Sequence, residues 1–193
     1  MSIQITAELV KELRDATGVS VMQCKNALTE AEGDMEKALI ILKQKSSTVA
    51  MKKADREAHD GTIVVKGTPT KVVILKLHSE TDFVARNSDF TTLADTLANM
   101  ALTEGIDTMK AKSVDMINEV TQKVGEKIEL GAVEEITGDV LGSYVHAGKS
   151  AVVVSLTGGT EELAKDIAMH IAAMKPLYTT DADITADDKA KVI

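Results

Sequence analysis

Aromatic side chains are scarce in this sequence. Its 193 residues include two Phe, two Tyr and no Trp, whereas proteins that bind single-stranded nucleic acid stack aromatic rings on the bases along a basic groove. A basic groove is not expected either, because 22 basic and 30 acidic residues give a formal net charge of −8. The same charge disfavours phosphate neutralisation on a duplex. We therefore expect no direct nucleic-acid partner, and a core built from aliphatic residues and methionine.

Cysteine and long apolar runs are equally rare. The single cysteine, Cys24, excludes an intramolecular disulfide and a cysteine-based metal cage. The apolar run VVILKL is far shorter than the ~20 residues that cross a bilayer. The N-terminus, MSIQITAELVKEL, lacks the basic and apolar regions of a signal peptide. These features predict a soluble, cytoplasmic protein with no membrane partner.

Residue patterns typical of catalysis are also absent from the sequence. The four histidines do not fall at metal-ligand spacing, and no nucleophile elbow or paired-carboxylate motif occurs. The TGGT segment at 157–160 lacks the second glycine and the lysine of a phosphate loop, so an N-capping turn is the better interpretation. We expect no catalytic residue, no metal and no cofactor, and hence no enzyme.

The first 48 residues predict three short helices. Thr6 and Asp34 are expected to cap the first and third helices, and Thr17-Gly18 to end the first. Apolar residues at helical spacing, including Cys24 in the second helix, predict a buried stripe. A bundle this small is a marginal domain, and such domains more often bind a partner than catalyse.

The net charge of the chain changes after this bundle. Residues 1–55 have no net charge, whereas residues 56–193 carry all of the acidity. The junction at 49–60 is polar, lacks Gly and Pro, and predicts a helical connector. Its basic side chains are expected to lie on a solvated helix face rather than against nucleic acid. These side chains are Lys52, Lys53 and Arg56.

After Gly61 the pattern changes from helical to strand-like spacing. Runs rich in β-branched residues at 62–66 and 71–77 predict a hairpin, and a helix is expected to begin at Asn87 or Ser88. The elements expected next are a helical stretch at 114–124 and a strand at 127–135.

A second hairpin and helix resemble the first pair. Strands at 142–146 and 150–156 precede a helix that Thr160 is expected to cap. KVVILKL aligns with SAVVVSL, and LADTLANMA with LAKDIAMHI, which indicates a divergent internal repeat. The strand-to-helix connection is longer in the first copy, and the excess lies within 78–92. Loops added to a shared scaffold commonly carry function, so this added segment is the candidate site.

Together these patterns predict an α+β fold. Thr185 and Asp188 form a pattern that resembles a capping box and predicts a last helix. The expected parts are a helical bundle at 1–48, a helical connector at 49–60, a core subdomain at 61–138, an incomplete second core subdomain at 139–180 and the start of a further helix at 181–193.

Within this region, the loop at 80–87 contains one of the two phenylalanines. Phe83 lies among charged residues in ETDFVARN, directly after Asp82. For a loop phenylalanine, packing into the core while Asp82 caps a turn is favoured by about two to one. The alternative is an exposed, rigid anchor for a partner. In that case Asp82 would compete for a cation or a backbone donor on the partner.

Five segments spread over the chain match one known family. They are LVKELRDATGVSVMQCKNAL at 9–28, KKADREAHDG at 52–61, ETDFVARN at 80–87, YVHAGKSAVVV at 144–154 and AMHIAAMKP at 168–176. In this order they resemble the elongation factor Ts family of bacterial translation. The order and the coverage of the chain make the resemblance specific.

The resemblance implies an activity and a partner. Members of the family are guanine nucleotide exchange factors in translation elongation, so the expected partner is elongation factor Tu. Their three-helix bundle is ubiquitin-associated-like and docks on the GTP-binding domain of that partner. Their Asp-Phe loop intrudes near the magnesium and phosphate side of its nucleotide site. That role falls here on Asp82 and Phe83, flanked by Thr81 and Val84. The other contact positions implied by the resemblance are Val21, Met22, Lys25, Val124, Gly125 and His146.

Other functions stay open on the residues alone. A ubiquitin-associated-like adaptor would bind protein or peptide partners without nucleotide exchange, and an enzyme would need a substrate that no residue pattern nominates. Members of the family commonly continue into a coiled-coil hairpin and a C-terminal module, whereas this sequence stops at Ile193. Either a truncated or cleaved form or a naturally short variant would explain that end. In a truncated form the second repeat would expose a strand edge.

Overall fold

A computed structural model describes residues 5–192, with side chains as far as Ala190. That range contains eight α-helices, one short 3₁₀ helix and two small antiparallel sheets, so the fold is α+β, as predicted. The helices are α1 (Ala7–Thr17), α2 (Val21–Glu30), α3 (Met35–Met51), α4 (Asp82–Ala85), α5 (Ser88–Glu104), α6 (Ile106–Val124), α7 (Glu161–Met174) and α8 (Ala186–Val192). The strands are β1 (Asp60–Thr68), β2 (Lys71–Ser79), β3 (Ile128–Thr137), β4 (Val140–His146) and β5 (Ser150–Leu156). Residues 1–4 and Ile193, which the expected bundle and last helix include, lie outside the described range.

Helices α1, α2 and α3 form the N-terminal bundle. Thr6 and Asp34 cap α1 and α3 as predicted, because each side chain accepts the backbone N–H three residues on, at 3.3 and 3.0 Å. Gly18 ends α1 with φ at 71°, in the left-handed region that favours glycine. The apolar side chains between the helices are buried, Cys24 among them. This shared core stabilises helices that are too short to form alone.

The prediction of a helical connector at 49–60 is wrong beyond Met51, because α3 ends there and the chain continues in turns. Lys52, directly after α3, is exposed as expected, but Lys53 and Arg56 do not lie on a solvated helix face. Lys53 donates to the carbonyl oxygen of Gly125 at 2.6 Å, and Arg56 donates to a carboxylate of the added segment at 3.2 Å. These contacts fasten the connector to the core, so tertiary contacts replace the helix that the local sequence favours.

The larger sheet has the strand order β1-β2-β3, and both neighbouring pairs are antiparallel. β1 and β2 form the predicted hairpin, and α5 packs on both strands after Asn87 caps it. α6 packs on α5 and β3, and begins at Ile106, earlier than predicted. The main core of the molecule lies between these helices and the sheet, with Leu75, Leu77 and Phe90 fully buried in it.

The smaller sheet is the second predicted hairpin, β4 and β5, covered by α7. Thr160 caps α7 as predicted, accepting the backbone N–H three residues on at 3.2 Å. α7 approaches β4 closely at Gly142, where an added Cβ would lie 2.3 Å from a backbone atom of Ala164. The buried apolar side chains of this hairpin and helix are only Leu141, Ala164 and Ala168. The core of this unit is therefore thin.

The tip of the β4–β5 hairpin contacts the start of β1. Ala147 and Gly148 turn the chain with φ of 50° and 67°, as in a type I′ turn. The carbonyl oxygen of Gly148 accepts the backbone N–H of Ile63 at 2.7 Å, and Lys149 forms an ion pair with Asp60. These contacts join the two sheets.

The bundle packs on α6 through α3. On α2, the side-chain oxygen of Gln23 accepts a hydrogen bond from Gln122 of α6 at 3.0 Å, and Lys43 of α3 lies 3.7 Å from Glu119 of α6.

Near the C-terminus, Thr185 caps α8 by accepting the backbone N–H of Asp188 at 3.2 Å, which confirms the predicted helix start. Of the helices described between residues 5 and 192, none is both long and apolar enough to cross a bilayer.

Candidate functional site

The added segment folds into the single helical turn α4. Thr81 precedes the turn as its N-cap, and its hydroxyl oxygen accepts the backbone N–H of Val84 at 3.4 Å. Val84 and Ala85 are buried in the main core. Because successive helical residues point about 100° apart, burial of these two directs Phe83 outward. The second hairpin and its helix have no counterpart of α4, since only residues 157–160 connect β5 to α7.

Phe83 is 83% exposed, so the core placement favoured from the sequence is wrong. The other phenylalanine, Phe90, is fully buried. An exposed phenylalanine leaves a large apolar surface in water, and neighbouring residues hold this one on a short, fixed turn. The structure thus shows the exposure that a partner anchor requires.

Asp82 is the first residue of α4, where a negative charge is favourable at the positive end of the helix. Its carboxylate lies 2.9 Å from the guanidinium of Arg86, one turn further on. Both side chains are partly open to solvent, so the pair is weak. The Asp82 carboxylate is therefore held only weakly by Arg86.

A second segment holds α4 from the other side. Glu126 accepts two hydrogen bonds from Thr81, from its backbone N–H at 3.0 Å and from its hydroxyl at 2.7 Å. Glu80 in turn accepts the backbone N–H of Lys127 at 2.5 Å. We call Glu80 and Glu126 the reciprocal pair, because each carboxylate binds the backbone of the other segment. Neither residue was a predicted site residue. Their partners lie more than forty positions away in the sequence, so no local pattern indicates the contact.

Partial burial and hydrogen bonding act in opposite directions on Glu80. Burial raises the pKa of its carboxyl, but the donors from the Lys127 backbone and the Arg56 guanidinium outweigh burial, so the pKa lies below its ordinary value. Glu80 is therefore a charged acceptor at neutral pH, which strengthens its hydrogen bonds.

The structure brings Val124 and Gly125 close to α4. Val124 ends α6 and packs against the main core. Gly125 follows with φ at 79° and is exposed. The next residue, Glu126, binds Thr81 directly. Two segments that the resemblance named separately are thus joined by hydrogen bonds between Glu126 and Thr81.

His146 and the bundle residues lie on other elements. His146 is exposed at the end of β4, and its Nδ1 is 3.1 Å from the Tyr144 hydroxyl. Val21 and Met22, on α2, are both more than half exposed. Val21 and Lys25 line a groove of about 380 Å³ between α1 and α2. The other lining residues include two further basic side chains, Lys11 and Arg14.

The side chains that could bind a metal ion are not clustered in the described part of the chain. Between residues 5 and 192, no cluster of three or more His, Cys, Asp or Glu side chains is placed to hold a metal ion. Cys24 is fully buried in the bundle.

Comparison with known proteins identifies the family. The family model for Elongation factor TS matches residues 80–192, more than half of the chain. The Elongation factor Ts proteins of Yersinia pestis and Yersinia pseudotuberculosis are each 42% identical over 194 residues, covering 98% of this chain and 68% of the relative. The chain belongs to the elongation factor Ts family. The resemblance seen in the five sequence segments is thereby confirmed. The region that the elongation factor Ts model matches contains α4, the reciprocal pair and the second hairpin.

Proposed function

We propose that this chain releases GDP from elongation factor Tu by placing Asp82 and Phe83 near the magnesium and phosphate side of its nucleotide site. Membership of the elongation factor Ts family makes the chain a translation elongation factor that acts in nucleotide exchange on elongation factor Tu. The observation that carries the finer proposal is Phe83, an aromatic ring almost wholly in water on a turn fixed at both ends.

The fixed turn favours binding because it is ordered before the partner arrives. The Thr81 cap and the burial of Val84 and Ala85 set the backbone of α4 in the free chain. Binding then costs little loop entropy, and more of the contact free energy remains for the complex. Val84 acts from inside the core by holding the turn, since its side chain has little surface to offer a partner.

One anchor is not enough for exchange. Truncation of a hot-spot aromatic costs about 2–4 kcal/mol, whereas moving a population from 1:99 to 99:1 takes about 5.5 kcal/mol of differential binding. We assign the remainder to the surfaces around Val124 and Gly125, around His146, and on the bundle. On the bundle, Val21 and Met22 offer apolar surface, and Lys25 adds a positive charge beside them. This charge would suit an acidic patch on the partner.

No bond is made or broken in this mechanism. The chain binds nucleotide-free elongation factor Tu more tightly than the GDP-bound form, and linkage makes that preference equal to the loss of GDP affinity. Phe83 supplies apolar contact, and Asp82 exchanges Arg86 for a donor or cation on the partner. A general acid, a base or a nucleophile is not required on this chain.

The test is release of a fluorescent GDP analogue from elongation factor Tu in a stopped-flow instrument. Labelled complex is mixed with excess unlabelled GDP and increasing concentrations of the chain. We expect the release rate to rise with concentration and to saturate. Binding of elongation factor Tu with an unchanged release rate would contradict exchange and support the adaptor function instead.

A further inference from the structure

We infer that Glu126 is a positioning residue for nucleotide exchange: its carboxylate holds Thr81 and, through it, the α4 turn in the orientation that presents Phe83. The inference rests on the proposed function. It concerns a residue outside the contact surface, whose effect on the partner would be indirect.

The contacts of Glu126 fix both the backbone and the hydroxyl of the cap. Its two oxygens accept the Thr81 N–H at 3.0 Å and the Thr81 hydroxyl at 2.7 Å. A hydroxyl has one proton to donate. Because that proton points to Glu126, the lone pairs of the oxygen are left for the Val84 N–H, 3.4 Å away. A charged acceptor makes such hydrogen bonds stronger than neutral ones.

The residues on both sides of Glu126 are held by hydrogen bonds of their own. Gly125 before it ends α6 in a left-handed conformation, and its carbonyl oxygen accepts the Lys53 ammonium at 2.6 Å. Lys127 after it donates its backbone N–H to Glu80 at 2.5 Å. The Glu126 carboxylate is therefore a fixed reference point that connects α4 to α6 and to the connector.

Loss of Glu126 should move the turn without unfolding it. A four-residue helix is not stable by itself, so its direction depends on the groups that hold its ends. Val84 and Ala85 stay buried in the main core when Glu126 is removed. What is lost is the restraint on the N-terminal end, the end next to Phe83.

The first test compares three variants in the GDP-release assay. Glu126→Ala removes both hydrogen bonds, and we expect maximal release at least about tenfold slower. Glu126→Gln can accept the Thr81 N–H with its amide oxygen and donate its NH₂ to the hydroxyl oxygen, so we expect release within about twofold of the unmodified chain. Glu134→Ala removes an exposed carboxylate from β3 and is the matched control. Normal release with Glu126→Ala, or equal loss with Glu126→Gln, would overturn the inference.

The second test separates positioning from a general structural role. If Glu126 acts through Phe83, the Phe83→Ala variant loses less in the Glu126→Ala background than in the unmodified chain. Multiplicative losses would overturn the inference. Thr81→Val removes the same hydroxyl contact from the other side and should show the same non-additivity, so the result does not depend on one variant folding. If the unmodified chain does not accelerate GDP release from elongation factor Tu, the proposed function fails. If it does, and the Glu126→Ala variant gives the same release rate, only the inference fails.

Discussion

Phe83 is the residue on which partner binding should depend most. We expect Phe83→Ala to slow GDP release from elongation factor Tu by about thirtyfold or more, because truncating a buried aromatic anchor costs about 2–4 kcal/mol. The thermal midpoint of the free chain should stay the same, since the ring lies in water. The measurement is the stopped-flow release assay together with thermal unfolding. Val114→Ala, at an exposed apolar position of α6, is the control. An unchanged release rate for Phe83→Ala would remove the anchor from the mechanism.

Asp60 should make the contact between the two sheets sensitive to acid. The donors on Lys149 and on the Gly61 backbone lower the pKa of its carboxyl below the ordinary value. A lowered folded-state pKa gives a stabilising contribution that is complete above the unfolded pKa and is lost as the pH falls through the folded value. We expect Asp60→Asn to lower the thermal midpoint at pH 7, and the difference from the unmodified chain to shrink below about pH 4. Thermal scans from pH 7 to pH 3 measure it. Asp139→Asn, an exposed carboxyl between β3 and β4, serves as control, and a pH-independent difference would contradict the assignment.

Residues that act on their near neighbours were predictable. Thr6, Asp34 and Thr160 cap helices as the sequence indicates, because a cap depends on a side chain and the next three residues. Glu126 was not predictable, because its partner Thr81 is 45 residues away. The exposure of Phe83 also depends on the wider fold, since the burial of its neighbours in the main core decides it.

The helices and strands also divide into those that the local sequence predicts and those that depend on distant contacts. Both hairpins and the helices that follow them were predicted, because alternating and helical apolar spacing are local signals. The connector was predicted as a helix on its composition, and its contacts with Gly125 and the added segment overrule that preference. α4 had no periodic signal at all, since a single turn is shorter than any repeat of the pattern. The candidate segment was nevertheless located, through the difference in length between the two copies.

The packing of α7 on β4 should tolerate no side chain at position 142. We expect Gly142→Ala to destabilise the chain by about 1–3 kcal/mol, because the new Cβ would lie 2.3 Å from backbone atoms of Ala164 and Lys165. Backbone atoms cannot rotate away as a flexible side chain can. The measurement is urea unfolding, with Ser143→Ala at the next position as control. A denaturation midpoint equal to that of the unmodified chain would mean that α7 moves away without loss.

The whole molecule should be unevenly stable. The core around β2 contains fully buried large side chains such as Leu75 and Leu77, whereas the hairpin β4–β5 and α7 bury only Leu141 and two alanines. A two-stranded hairpin with a thin core opens more easily than a three-stranded sheet. We expect amide hydrogens of β4 and β5 to exchange at least about tenfold faster than those of β2. Native-state hydrogen exchange read by mass spectrometry measures it, and equal protection would show that the two sheets open as one unit.

α6 links the separate surfaces of the proposed site. It packs against α3 of the bundle, and it ends at Val124, beside the loop that holds α4. A partner that contacts both the bundle face and Phe83 therefore contacts two surfaces that α6 joins. α6 fixes the spacing of these contacts before binding, which favours a single mode of docking over independent attachment of the bundle.

The exposed turn at Phe83 also makes the protein convenient to observe. With no tryptophan anywhere in its 193 residues, the chain has no indole fluorescence of its own. A Phe83→Trp substitution would introduce a single indole at the most solvent-exposed aromatic position, in a place where the core imposes no steric limit. Its indole emission would then report the environment of this one side chain, free in water or covered by a partner, with no other indole in the chain.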